Sequence, residues 1–182
     1  MDESTGLLLK ALRFSAEKHT HQRRKDAKAS PYINHPIQVA EILWTLGDVR
    51  DQTLLLASIL HDTIEDTATT PDEIKMEFGE DVLALVLEVT DDKSLPKQVR
   101  KQLQVENAAH KTRNAKLLKL ADKISNVQDI ITSPPKDWSL ERRREYLLWT
   151  ERVVAGLRGV SPKLENRYDA ILAEGKRSLE LE

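Results

Sequence analysis

Residues 52–66, QTLLLASILHDTIED, constrain the fold more than any other segment. Leu54, Leu55, Leu56, Ala57, Ile59 and Leu60 are apolar almost all the way round a helix, which places that helix inside a protein. The run is far short of the roughly 20 apolar residues of a membrane span, so its neighbours must be other parts of the same chain. Those neighbours read as helices too. With only 6 Gly, 7 Pro and 2 Phe, and no runs rich in Val, Ile and Tyr, strand signals are poor and helix signals good.

Start and stop signals divide the chain. Leu8, Leu9, Leu12, Ala16 and His19 recur at helical spacing within a first helix over 6–19, and the polar, basic stretch from His21 to Ser30 reads as a loop. Pro36 opens a second helix through Leu46, with Gly47 as its stop, and Asp51 starts a third that runs to about Thr67. Thr70-Pro71-Asp72-Glu73 is a capping box for a short helix ending at Gly79. Another helix covers 80–91, and Ser94-Leu95-Pro96 breaks it. A long pattern from Lys97 to Ile131 breaks or bends near Lys111–Asn114 and stops at Ser133-Pro134-Pro135. Ser139 caps a helix through Leu157, and Ser161-Pro162 caps the last, to about Leu179. With no repeat and no linker, the expectation is one all-α domain spanning residues 1–182.

Composition narrows the chemistry. A chain without cysteine has no disulfide scaffold, thiolate metal site or cysteine nucleophile. Lys and Arg number 28 against 30 Asp and Glu, so there is no overall basic field for nucleic acid, and at 4% aromatic the short basic clusters lack interleaved stacking residues. The start, MDESTGLLLKALRF, carries acids early and shows no cleavable apolar region. A cytoplasmic protein with neither membrane nor nucleic-acid partner is expected.

The end of the third helix breaks the pattern of its beginning. At about 100° per residue, His61, Glu65, Asp62 and Asp66 fall within less than half of the circumference. Three carboxylates so close repel one another, and a divalent cation or a set of Arg and Lys is the usual remedy. One helix cannot complete a coordination shell. His35, beside Pro36 in YINHP, and Asp122, in LADK, are further candidates. Asp122 shares a line with Asn126, about 160° from the stripe of Leu117, Leu120, Ala121 and Ile124, and periodicity leaves solvent and cleft both open for it.

Together, YINHP, LLHDTIED and KLADKISN resemble the HD-domain phosphohydrolases, and more narrowly the hydrolase domain of the SpoT/Rel enzymes and the free-standing small alarmone hydrolases. The resemblance runs from AEKHTHQRRKD to EYLLWTERVVAGLRG, and no synthetase, TGS or ACT segment follows. It implies an HD-type helical bundle with His35, His61, Asp62 and Asp122 as ligands of one Mn²⁺; two imidazoles with two carboxylates also suit Fe²⁺ or Zn²⁺. It implies that Glu65 and Asp66 position and activate the attacking water. The implied reaction removes the 3′-pyrophosphate of ppGpp or pppGpp, ending a starvation signal. Arg24 and Lys25 match the family's pair beside base and ribose, and Asn126 a residue near ribose or phosphate. Lys97 and Arg142 are candidate pyrophosphate contacts, and Tyr146 matches a tyrosine near base or phosphates. One departure stands out: KISN follows Ala121-Asp122 where the larger enzymes commonly have RLHN.

Two other functions compete. The same metal site can act on another ribose phosphate, such as the 2′-phosphate of NADPH. A catalytically inactive nucleotide sensor would require a broken metal or ED set, and all six of those positions carry competent residues. His19, His21 and His110 read as structural, and Trp44, Trp138 and Trp149 as core or edge residues. Monomer and homodimer are both open.

Overall fold

The computed structural model describes residues 3–181; of the expected span of 1–182, Met1, Asp2 and Glu182 lie outside the described residues. The chain is all-α, as its punctuation predicts. The helices are α1 (Glu3–Lys18), α2 (Asn34–Thr45), α3 (Gln52–Leu60), α4 (Thr63–Asp66), α5 (Pro71–Phe78), α6 (Glu80–Val89), α7 (Lys97–Asn107), α8 (Arg113–Thr132), α9 (Leu140–Leu157) and α10 (Pro162–Ser178), with a 3₁₀ turn at Ala108–His110. Among the described residues, β pairing is confined to one bridge between Arg23 and Pro31, and no helix is long and apolar enough to cross a membrane.

The caps form where the residue types place them. Thr70 accepts from the Glu73 amide while the Glu73 side chain accepts from the Thr70 amide, closing the expected capping box. Asp51, Thr112, Ser139 and Ser161 cap α3, α8, α9 and α10. The break expected near Lys111–Asn114 is the 3₁₀ turn and Thr112 cap between α7 and α8.

One expectation fails in an instructive way. The third helix does not continue to Thr67; it opens at His61 and Asp62 and resumes as the single turn α4. Side chains take the carbonyls that a continuous helix would use. His61 Nδ1 donates to the Ser58 carbonyl at 2.8 Å and Thr63 Oγ1 to the Leu60 carbonyl at 2.7 Å. Asp62, at φ −97° and ψ −3°, sits in the bridge region where many active-site residues are found. The backbone stays right-handed, so the HD and ED pairs remain on neighbouring faces.

The core joins α3 to α8. Leu54, Leu56 and Leu60 are buried with Leu118, Leu120 and Ile124, and α8 packs against α2, α6, α9 and α10. Nearly every residue from Leu117 to Ser125 is buried. The apolar stripe of α8 faces the core, and the opposite face carries Lys119, Asp122, Lys123 and Asn126 into a cleft. Periodicity left that choice open, and the packing of α2 and α9 against α8, with α7 across the cleft, makes it.

The approach of α9 to the 3₁₀ turn needs Gly156. A Cβ there would stand 2.7 Å from the Ala108 Cβ and 2.9 Å from the Ala109 amide nitrogen, neither of which can swing away. Ala gains about 1 kcal/mol over Gly in helix propensity, but overpacking costs about 1–3 kcal/mol. Gly156→Ala is therefore expected to lower stability by up to about 2 kcal/mol, read as an earlier urea midpoint; a later midpoint contradicts this packing.

Candidate active site

A cleft of about 1010 Å³ opens between α8, α2, the α3–α4 junction, α7 and the start of α9. All twelve residues singled out in the sequence line it. Its two ends differ sharply in charge.

At the inner end, His35 from the first turn of α2 and His61 with Asp62 from the α3–α4 junction bring one ligand atom each within 4.8 Å of one another. Hydrogen bonds fix both rings. His61 Nδ1 bonds a carbonyl, which can only accept, so Nδ1 carries a proton and Nε2 is the nitrogen turned to the cluster. The His35 Nδ1 lies 3.0 Å from Ser125 Oγ, and that hydroxyl in turn donates to Gln38 Oε1 at 2.9 Å, so His35 Nδ1 is also the donor. Both Nε2 atoms therefore point into the cluster, placed to ligate a cation once free of a proton. Ser125 belongs to the KISN departure, and its hydroxyl gives that departure a function: it orients His35.

Asp122 joins from α8, its Oδ1 lying 3.1 Å from His35 Nε2. It stands at the edge of the His35–His61–Asp62 group, held away by Lys123 Nζ at 2.9 Å on Oδ2 and Asn126 Nδ2 at 2.6 Å on Oδ1. Asp62 Oδ2 accepts from the Tyr32 hydroxyl at 2.6 Å. Burial disfavours both carboxylates, but the histidines, joined by Lys123 at Asp122, outweigh it and hold both well below the usual range. Burial alone would lower His61; Asp62 and Asp122 outweigh it and push His61 up to about 9.

The donor set fits a divalent cation. His61 Nε2 is buried and has no hydrogen-bond partner; Asp62 Oδ2 is 3.1 Å away but poorly aligned for one. A buried imidazole nitrogen without a hydrogen-bond partner beside two ionised carboxylates is costly, and a divalent cation that displaces its proton would satisfy all three groups.

The ED pair flanks this cluster on α4. Glu65 accepts the Asp91 amide at 2.9 Å, with Lys93 and Arg100 at 3.5 and 4.0 Å. Burial, with Asp62 and Asp91 nearby, raises it above the ordinary glutamate value. Asp66 is gripped by Gln22 Nε2 at 3.0 Å and Lys93 Nζ at 2.5 Å.

The outer end is cationic. Lys97 on α7 is lowered by burial and by Arg142, Lys25 and Arg100, the signature of positive charges crowded without enough carboxylates. Beside them Trp138, Tyr146 and Trp149 form an aromatic wall, with ring centroids 5.4 and 5.3 Å apart and the Arg142 guanidinium 4.4 Å over Trp138. The two tryptophans thus line the cleft as well as packing beside the core, which their isolated positions in the sequence did not signal. Arg24 lies across the mouth, paired with Asp129 and over the Tyr32 ring, so its charge is already engaged within the protein. Asp129, Tyr32, Lys93, Lys119 and Lys123 are further cleft residues not singled out in the sequence. Lys119 and Lys123 were within reach, since they share the polar line of α8 with Asp122 and Asn126.

Comparison with known proteins gives consistent results. Residues 11–149 match the family model described as HD domain. The chain is 51% identical over 169 residues to a Xenopus tropicalis protein named guanosine-3′,5′-bis(diphosphate) 3′-pyrophosphohydrolase MESH1, covering 93% of this chain and 94% of that one. Its human counterpart of the same name is also 51% identical, over 165 residues, covering 91% and 92%. A solved structure, described as a metazoan orthologue of SpoT that hydrolyses ppGpp and plays a role in starvation responses, superposes with a TM-score of 0.90 at 45% identity, covering 92% of this chain and 94% of that one.

With its imidazolium value near 9, His61 is protonated in the cation-free protein at neutral pH and must lose that proton to become a ligand. Calorimetric titration with Mn²⁺ at pH 7 in buffers of different ionisation enthalpy is expected to show release of about one proton per cation. Binding without proton release contradicts the assignment of His61.

Proposed function

We propose that this chain, which belongs to the HD domain family, removes the 3′-pyrophosphate of guanosine 3′,5′-bis(diphosphate), yielding GDP and pyrophosphate, and converts the triphosphate form to GTP in the same way. The reading is supported by relatives at 51% identity that carry that activity in their names and by the superposition on a structure described as hydrolysing ppGpp. The observation that carries it is the pairing of opposite ends in one cleft. A His/Asp cluster with an orphaned imidazole nitrogen faces a wall of uncompensated cations. A polyanion carrying a reactive phosphoryl group satisfies both ends at once.

His35, His61, Asp62 and Asp122 would hold one divalent cation, which we take to be Mn²⁺. When bound, the cation supplies Lewis-acid chemistry, lowering the pKa of water and offsetting phosphoryl charge. The chain's own groups do the rest. Glu65, raised by burial, is suited to take a proton from the attacking water, since a base works best with a pKa nearer the operating pH. Asp66, fixed from two sides by Gln22 and Lys93, orients that water. The water oxygen bonds to the phosphorus nearest the ribose as Glu65 takes its proton, the bond to the 3′ oxygen breaks, and the 3′ oxygen leaves as a hydroxyl on receiving a proton from solvent, to which Glu65 returns its own. Lys97 and Arg142 receive the pyrophosphate, Asn126 the ribose region, and Lys25 and Tyr146 the nucleoside end. Arg24, neutralised by Asp129, offers the base a flat guanidinium face in place of a free charge.

The single core shared by the helices supports one phosphohydrolase domain, acting in the cytoplasm on a small nucleotide rather than on nucleic acid. Glu65→Gln is expected to lower kcat on ppGpp by about 10²–10⁴-fold while nucleotide affinity changes little. Ion-exchange analysis of products checks the bond cleaved. Pyrophosphate with GDP is expected; inertness towards ppGpp with orthophosphate and NADH formed from NADPH contradicts the substrate, and full turnover by the Glu65 variant contradicts its role.

A further inference from the structure

Lys119 is buried to 9% exposure on α8, lines the cleft, and is used by no step described above. Among the described residues it makes no hydrogen bond and no ion pair. That is unusual within this molecule. Lys123, one turn further along, is paired with Asp122 at 2.9 Å, and the cleft lysine Lys93 is paired with Asp66 and Glu65. Burial and the neighbouring Lys123 lower the Lys119 pKa, so the group lacks a counter-charge of its own, and an anion entering the cleft would favour its ammonium form.

Position says what that is. Along α8, residues 119, 122, 123 and 126 share one face, and Lys119 stands one turn before Asp122. The carboxylates that act on it most are Asp122, Asp91 and Glu65, none within ion-pair distance. Lys119 lines the same cleft as the His/Asp cluster and the ED pair, between which the phosphorus under attack would lie in the proposed reaction. Lys97, Arg142 and Lys25 stand on the outer wall.

We propose that Lys119 is a further catalytic residue, donating to a non-bridging oxygen of the diphosphate's attacked phosphoryl group as negative charge develops there. Inside a dry cleft a preplaced donor is effective, because it needs no reorganisation when the charge appears. The proposal rests on the phosphohydrolase reading. Its chemistry, one ammonium to one phosphoryl oxygen, can nevertheless be probed with pyrophosphate alone.

Two measurements test it. In the unaltered protein loaded with diamagnetic Zn²⁺, which suits the same donor set, the Lys119 side-chain ¹⁵Nζ resonance is followed while inorganic pyrophosphate is added. A saturable shift is expected; a resonance that does not move while pyrophosphate binds overturns the proposal. Lys119→Met then replaces an unpaired charge by an apolar chain of similar volume. Its Tm is expected to equal or exceed that of the parent, by about 2–4 °C for each kcal/mol gained. Its kcat on ppGpp is expected to fall on the order of 100-fold with KM less affected, and Lys119→Arg to recover part of the loss. A Met variant within threefold of parental kcat overturns the assignment. If pyrophosphate moves Lys119 but ppGpp is not turned over, the inference stands and the substrate reading fails.

Discussion

Two carboxylates buried in a helical bundle, Asp62 and Asp122, set the terms for everything around the cleft. Neither can stand there alone, and each is compensated by groups that come from different helices. Tyr32 and His61 attend Asp62, while His35, Lys123 and Asn126 attend Asp122. The compensation ties the loop before α2, the α3–α4 junction and α8 to a common point. It is deliberately incomplete, because His61 Nε2 remains without a partner. A buried network that is almost satisfied costs stability and gains an affinity for the missing positive charge.

The apolar core answers a different need. By enclosing α3 on all sides and filling the inner face of α8, it holds the polar face of α8 in place with little dependence on the charges themselves. The site can then be strained electrostatically at both ends, with carboxylates crowded near the histidines and cations crowded near Lys97. The two ends call for remedies of opposite sign, which a cation and a polyanion bound together supply. Function is drawn from stability that the core supplies.

How much of this could be read in the sequence follows from the range of each interaction. Helix ends were legible because capping is local: Thr70, Ser139 and Ser161 each accept an amide only three residues away. The convergence of His35, His61 and Asp62 was legible through the resemblance in YINHP and HDTIED, not through spacing. The break between α3 and α4 was hidden, since it depends on side chains of His61 and Thr63 taking carbonyls that periodicity assigns to the helix. Hidden too was the pairing of Arg24 with Asp129, 105 residues apart, which turns an expected free cation into an engaged one. The direction of Asp122 was undecidable from one helix, and needed the walls that α7 and α9 build opposite it.

In the proposed reaction, competence of the inner end of the cleft depends on one bound cation. The most direct test is to strip the protein of metal, titrate Mn²⁺ back in, and follow ppGpp turnover at each addition. Turnover that is absent in the stripped protein and saturates at one Mn²⁺ per chain is the predicted result. Equal turnover with and without the cation contradicts it.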